Sequence, residues 1–260
     1  QEPSSLFLYG DASAAGSGIR QAIYDGPFDT TNGEVVPVIL QQIPSLDNGD
    51  AELRPVQVQQ GTIIMDAFGE WVSLQEGVRY RPSGCLSPDC ALIYEGGESV
   101  PMDELVVRFH LMPNILWSDG NPLTADDSVF SFEVAQNLFG SALEMLRFTQ
   151  SYSALDLQTV EWLSIPGYQG AYATHFFSPL PRHLWNILRS EEMLTSEIST
   201  RIPIGWGAYV IDEWISGDHI TLSRNDNYFR IGDGLPKFDF LVFRFVDDAQ
   251  AAVDALLVGE

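Results

Sequence analysis

Lysine is almost missing from this chain. Lys237 is the single one, and 13 basic residues stand against 36 acidic ones, a formal net charge of −23 over 260 residues. A surface so acidic repels phosphate backbones and anionic headgroups, which disfavours nucleic-acid binding and contact with an anionic membrane. Solubility, adaptation to salt or attraction of cationic ligands are the readings that remain. Long hydrophobic runs are also absent, since none approaches the ~18 residues that a membrane helix needs. The opening QEPSSLFLYG has no basic n-region and no long apolar core, so it does not read as a signal peptide. Cysteine occurs twice, at Cys85 and Cys90. With no histidine beside them they make a poor zinc site, because zinc normally takes four ligands. A small disulfide loop is predicted, which implies an oxidising, extracytoplasmic setting; two free buried thiols are the alternative. The four histidines, His110, His175, His183 and His219, fall on different predicted elements without metal-ligand spacing and read as structural.

What is present is a globular composition, 45% hydrophobic and 19% charged, long enough for one large domain or two modest ones. The most informative stretch runs from Leu105 to Val134. Leu105, Val107, Phe109 and Leu111 alternate onto one face of a strand, with Val106, Arg108 and His110 on the other. Turns follow at Ser118-Asp119-Gly120 and Asn121-Pro122. A helix then starts at Thr124, with Asp127 three residues on as its capping partner and Phe130 and Val134 sharing a face. Asp126 and Asp127 resemble metal ligands in isolation, but negative charge at a helix start accounts for them.

The rest of the chain is predicted as follows. Ser5 to Tyr9 is a short strand, followed by a small-residue loop over 10–18 and a helix from Ile19 to Asp25. The loop has no GxGxxG and no lysine after a glycine, so a nucleotide site is not expected, although a loop there is well placed for ligand contacts. Residues 56–111 are β-rich. Strands are predicted at Leu157 to Leu163 and Ala171 to Phe177, and a helix at Arg182 to Leu188. A hairpin is predicted at Ala208 to Ile215 and His219 to Arg224. Phe238 to Val246 reads as a central strand covered on both faces. A last helix capped by Asp247, with Ala251, Ala255, Leu256 and Val258 inward, leaves a βαβ unit that does not return to its sheet.

No nucleophile elbow of the G-x-S-x-G kind occurs. Carboxylates are too abundant for any acid/base pair to stand out. Six tryptophans and nine tyrosines supply core, or the lining of a solute pocket.

Four ordered segments carry a resemblance. Phe109-His-Leu-Met112, Trp117-Ser-Asp-Gly120, Pro122-Leu-Thr-Ala125, Asp127 and Val129-Phe-Ser131 look like one long family motif, with Met112 in place of an arginine and Ser128 inserted. Pro179 to Trp185 is similar to P-x-P-K-H-x-W. Gly205 to Tyr209 followed by Arg224 to Phe229 is similar to G-T-G-P-Y followed by R-N-P-x-Y-W, with Trp206 and Ala208 as departures. Ile23-Tyr-Asp-Gly26 is similar to I-Y-E-G. Together they resemble the extracytoplasmic solute-binding proteins of the oligopeptide/dipeptide/nickel class (family 5) of ABC importers.

The resemblance implies an α/β, periplasmic-binding-protein-like (type II) lobe with a mixed sheet and flanking helices, plus a β-rich side subdomain. It implies a main lobe over 1–50 and 180–260 and a side subdomain over 51–179. It covers the N-terminal portion of the family, so the chain is expected to be a fragment in which the second lobe is absent. The implied function is capture of an extracellular solute, most readily a peptide, for delivery to ABC permease subunits in the membrane. No catalysis, cofactor or metal is implied. The implied location is the periplasm or the outer face of the membrane, with a lipid anchor on the full-length form. Solute contacts are expected at Ala12, Ser13 and Ser17, with Tyr24 and Trp206 as further candidates. A ligand-sensing ectodomain and a hydrolase built on acidic residues are the other classes considered.

Overall fold

The computed structural model describes residues 1–246 together with residues 250, 253, 256 and 257. Short helices are interspersed among many strands. The chain opens with α1 (Ala14–Ile23), then β1 (Phe28–Thr31), β2 (Glu34–Pro37), β3 (Ala51–Val58), β4 (Ile63–Met65), β5 (Trp71–Ser73), β6 (Arg79–Tyr80), β7 (Leu92–Ile93) and β8 (Val100–His110). The long helix α2 (Ala125–Phe139) follows, with α3 (Glu144–Arg147), β9 (Thr149–Ala154) and β10 (Thr159–Ser164). Last come α4 (Arg182–Trp185), α5 (Glu197–Thr200), β11 (Tyr209–Ile215), β12 (His219–Arg224) and β13 (Phe240–Arg244).

The chain divides into two compact units. The first holds Gln1–Gly26, Pro113–Leu123 and Leu180–Glu260; the second holds Pro27–Met112 and Thr124–Pro179. These limits differ from the expected 1–50, 51–179 and 180–260 in two places. Residues 27–50 go with the second unit because their backbone is tied to the end of β8: Leu40 bridges Leu111, and the Gln41 N–H donates to the His110 carbonyl at 2.8 Å. Residues 113–123 go with the first unit because Ser118 N–H donates to the Gly205 carbonyl at 2.8 Å and Asn227 Nδ2 to the Ser118 carbonyl at 3.0 Å.

The second unit is built on an antiparallel sheet in the order β3-β8-β10-β9. β8 behaves as its alternation predicts, with Leu105, Val107, Phe109 and Leu111 all buried. Val106 is buried as well, so the second face of β8 is covered there too. α2 lies against β9 and β10. Phe130 and Val134 are buried, and Ser128 Oγ sits 2.7 Å from the Tyr152 hydroxyl while donating to the Phe177 carbonyl. The start of α2 is fixed by Asp127, whose carboxylate accepts the Thr124 N–H at 2.8 Å and the Thr124 hydroxyl at 3.3 Å. A second cluster, Val58, Ile64, Leu74, Tyr80, Tyr94 and Met102, fills the β-rich excursion between β3 and β8. Cys85 and Cys90 form the expected disulfide there, with their Cα atoms 5.7 Å apart.

The first unit carries the antiparallel sheet β11-β12-β13. The hairpin around Gly217 forms as predicted. Two expectations fail beside it. Every strand pair among the described residues is antiparallel, where the resemblance implied a mixed sheet. Among the described residues β13 pairs with β12 alone in that sheet, and its Phe240 and Val242 are 64% and 57% exposed rather than doubly covered. An apolar run records hydrophobicity but not its place in a sheet. The helix expected after Asp247 lies outside the described residues.

Other local expectations also shift. Ser5 to Tyr9 forms turns instead of a strand, although Leu6 and Phe7 are fully buried and Leu6 N–H donates to the Thr200 carbonyl. Ala171 to Phe177 is irregular. Its buried Phe176 and Phe177 explain the apolar pattern without a strand. The helix expected from Ile19 begins at Ala14, because Ser13 caps it early.

Candidate functional site

The sequence candidates of the first unit sit at the two ends of α1. At its start, Ser13 Oγ accepts the Gly16 N–H at 3.1 Å, satisfying one of the donors a helix leaves free. Asp11 precedes it and accepts the backbone N–H groups of Ser13 at 2.6 Å and Ser4 at 2.7 Å. Burial pushes the Asp11 carboxyl up, but these donors outweigh it and hold it at about 2. Ala12 and Ser13 are exposed. Ser17, one turn into the helix, accepts from Arg20 Nη2 at 3.1 Å, and Arg20 also donates to the Ser5 carbonyl.

Tyr24 and Trp206 lie at the other end, roughly 16 Å away at the helical rise per residue. Here the chain is closely packed. Gly205 and Gly207 lie against the last turn of α1, where a Cβ on Gly205 would stand 1.8 Å from the Ile23 carbonyl oxygen. That carbonyl accepts the Gly207 N–H at 2.8 Å. Trp206 is fully buried between Tyr24, with ring centroids 5.1 Å apart, and Trp117, at 5.4 Å. Its indole N–H donates to the Asp25 carbonyl at 2.8 Å. The Tyr24 hydroxyl is buried without a hydrogen-bond partner among the described residues, and burial drives its pKa upward against the opposing charge of Arg20.

Residues that the sequence did not nominate as solute contacts complete this end. The Tyr228 hydroxyl donates to the Asp25 carboxylate, and Arg230 Nη1 approaches the same carboxylate at 3.8 Å. His183 Nε2 lies 2.7 Å from Asp119 Oδ2, with its ring 6.2 Å from that of Trp117. Burial pushes the Asp119 carboxyl up, but hydrogen bonds from His183 and Asn121 outweigh it, leaving the group below the usual carboxylate range. The available signal was shared motif membership: Asp25 lies in Ile23-Tyr-Asp-Gly26, and Tyr228 in Arg224 to Phe229.

The five candidates are therefore not one constellation. Ala12 and Ser13 present an exposed helix start, Ser17 is held by Arg20, and Tyr24 and Trp206 form a buried wall. Asp11 and Asp119 are both held ionised by donors, which suits fixed acceptors more than proton-transfer groups. Among the described residues no group of three or more His, Cys, Asp or Glu side chains is arranged to hold a metal ion.

Known proteins fit this architecture. Residues 92–260, more than half of the chain, match the sequence profile of the bacterial extracellular solute-binding proteins, family 5, in its middle region. The oligopeptide-binding protein AppA of Bacillus subtilis is 30% identical over 160 residues, which cover 59% of this chain and 27% of that protein. The structure of AppA from Bacillus subtilis in complex with a nonapeptide superposes with a TM-score of 0.65 at 20% identity, covering all of this chain and 40% of that one. NikZ from Campylobacter jejuni in complex with Ni(L-His) gives 0.63 at 17% identity, with the same coverage. The chain belongs to the bacterial extracellular solute-binding proteins, family 5, and has the mixed α/β fold of periplasmic-binding-protein-like structures. It spans less than a third of the curated AppA in the matched region and about 40% of the two solved structures.

Proposed function

We propose that this chain is one lobe of the substrate-binding component of an ABC importer. In this reading it captures an extracellular solute, most readily a peptide, and delivers it to membrane permease subunits. The observation that carries the reading is the family match over residues 92–260. A peptide cargo draws support from the relatives, since AppA is named for oligopeptides and its structure holds a nonapeptide. The location that follows is extracytoplasmic, with a lipid anchor on the full-length form. Among the described residues no helix is long and apolar enough to cross a membrane.

In this proposal the exposed start of α1, Ala12 and Ser13, touches solute, and Ser17 and Arg20 stiffen it. Tyr24 and Trp206 hold the far end of the helix rather than meeting cargo directly, as their burial suggests.

The test is mass spectrometry of small molecules released from the natively purified protein that carries this chain. Short peptides are expected. A single non-peptide solute would overturn the peptide assignment, and failure to retain or bind any solute would overturn the binding role. Calorimetry on the 260-residue chain is expected to show weak peptide binding, because about 60% of the structures it matches has no counterpart in it. Tight binding by the chain alone would contradict the one-lobe assignment.

A further inference from the structure

The second unit contains a cavity of about 310 Å³ that lies apart from α1 and its surroundings in the sequence and plays no part in the reading above. It is bounded by the end of β3, the start of β4, β8, β9 and the segment after β10. Ile63, Ile165 and Pro166 form apolar walls, and Thr62 and Gln150 bring polar groups. Among the residues that line it, Glu104 alone carries a charge.

Glu104 is unusual for its position. It lies on the inner strand β8 and is only 2% exposed. Burying a carboxylate is costly unless it is paired and hydrogen-bonded. Its partner is Arg54, directly across on β3. Both Arg54 contacts, from Nε and Nη2, fall on the same oxygen, Oε1. Oε2 has no donor among the described residues, yet it is not among the atoms sealed from solvent without a partner. Arg54 itself is half exposed on the strand and is not part of the lining. The lining therefore combines Glu104, whose second carboxylate oxygen has no donor among the described residues, with aliphatic walls, a hydroxyl and an amide.

We infer that this cavity binds a small organic cation, an ammonium group on a short aliphatic chain. The ammonium supplies the charge-assisted donor that Oε2 lacks, and the chain covers Ile63, Ile165 and Pro166. The volume is at the low end of ligand pockets, which limits the guest to a compact molecule. The strongly negative net charge concentrates cations near the surface and favours their arrival.

The experiment is an amide-resolved NMR titration of the 260-residue chain with n-butylammonium at fixed ionic strength, using n-butanol as the neutral isostere. The expected result is saturable shifts confined to the amides around Ile63, Gln150 and Ile165, with n-butanol about tenfold weaker or more. Glu104→Gln is expected to weaken the cation by a similar factor. Gln150→Trp, at an exposed position on the edge strand β9, fills the cavity while leaving the Arg54–Glu104 pair intact, and is expected to abolish binding. This variant keeps the proposal testable if Glu104→Gln fails to fold. Equal response to n-butanol would overturn the proposal. So would shifts spread over the carboxylates generally, unchanged affinity in a folded Glu104→Gln, or unchanged affinity in Gln150→Trp.

Discussion

Glycine at 205 is required by contact rather than by backbone angle. A methyl group there would sit 1.8 Å from the Ile23 carbonyl oxygen, a backbone atom that cannot rotate away. Gly205→Ala must therefore push α1 off the Gly205–Gly207 segment. The expected loss is at least the ~1–3 kcal/mol typical of overpacking, read as a lower midpoint in urea denaturation. A midpoint equal to that of the parent would show that the contact is relaxed in solution. Asp11 makes a second residue-level statement. Its carboxyl is held at about 2 against an ordinary 3.8, so its donors stabilise the folded state fully above roughly pH 4 and progressively less as pH falls towards 2. Asp11→Asn should be less stable than the parent at neutral pH, and the difference should close across that window. A difference independent of pH would remove charge from the explanation. Of these residues, Gly205 was legible as part of a motif, but its contact was not, because nothing in Gly-Trp-Gly names Ile23 as the neighbour. The same holds for Tyr228 and Asp25, which are 203 positions apart and meet only in the fold.

At the scale of elements, α2 was the most legible because its signals are local. Thr124, Asp127, Phe130 and Val134 each act within a turn or two of their own position, and all four do what their spacing predicts. Asp127→Ala removes the acceptor for the Thr124 N–H in a buried setting, and the expected cost is ~1 kcal/mol, or up to about 2. The comparison variant is Asp127→Asn, which removes the charge and keeps a side-chain acceptor at the same place. Equal losses from the two would assign the effect to the helix dipole and not to the cap. β13 shows the opposite case. Its apolar sequence suited a central strand, but a strand's neighbours are set by long-range pairing, and the order among the described residues leaves Phe240 and Val242 exposed on an edge. The early start of α1 has a simpler cause. Helix propensity favours Ile19 onward over the glycines and serines before it, but the Ser13 cap and the Asp11 turn outweigh that preference.

At the scale of the whole molecule, the family was legible and the partition only in part. All four motifs contribute to the first unit, where Gly205 and Gly207 pack on Ile23, Tyr228 reaches Asp25, Trp117 packs on Trp206, and His183 meets Asp119. They are recognisable because they build the fold. Residues 27–50 gave no comparable signal, since their membership depends on backbone bridges to the end of β8. The property read from composition alone is charge, and it has a mechanical consequence. With 36 acidic residues against 13 basic ones, carboxylates outnumber cations by more than two to one, and their mutual repulsion opposes the compact state. Added salt acts in two directions. It screens that repulsion, and it also weakens exposed pairs such as Arg108–Glu52 and Arg224–Asp239. Exposed pairs contribute at most ~1 kcal/mol each, while the excess charge acts across the whole surface. Repulsion should therefore dominate, and the melting temperature should rise as sodium chloride goes from about 0.01 M to about 1 M, where the screening length falls from ~30 Å to ~3 Å. Chloride is the appropriate anion, because sulfate would add its own exclusion effect. A melting temperature that falls with added chloride would show that the ion pairs matter more than the net charge, and the acidic surface would then need an explanation specific to its partners.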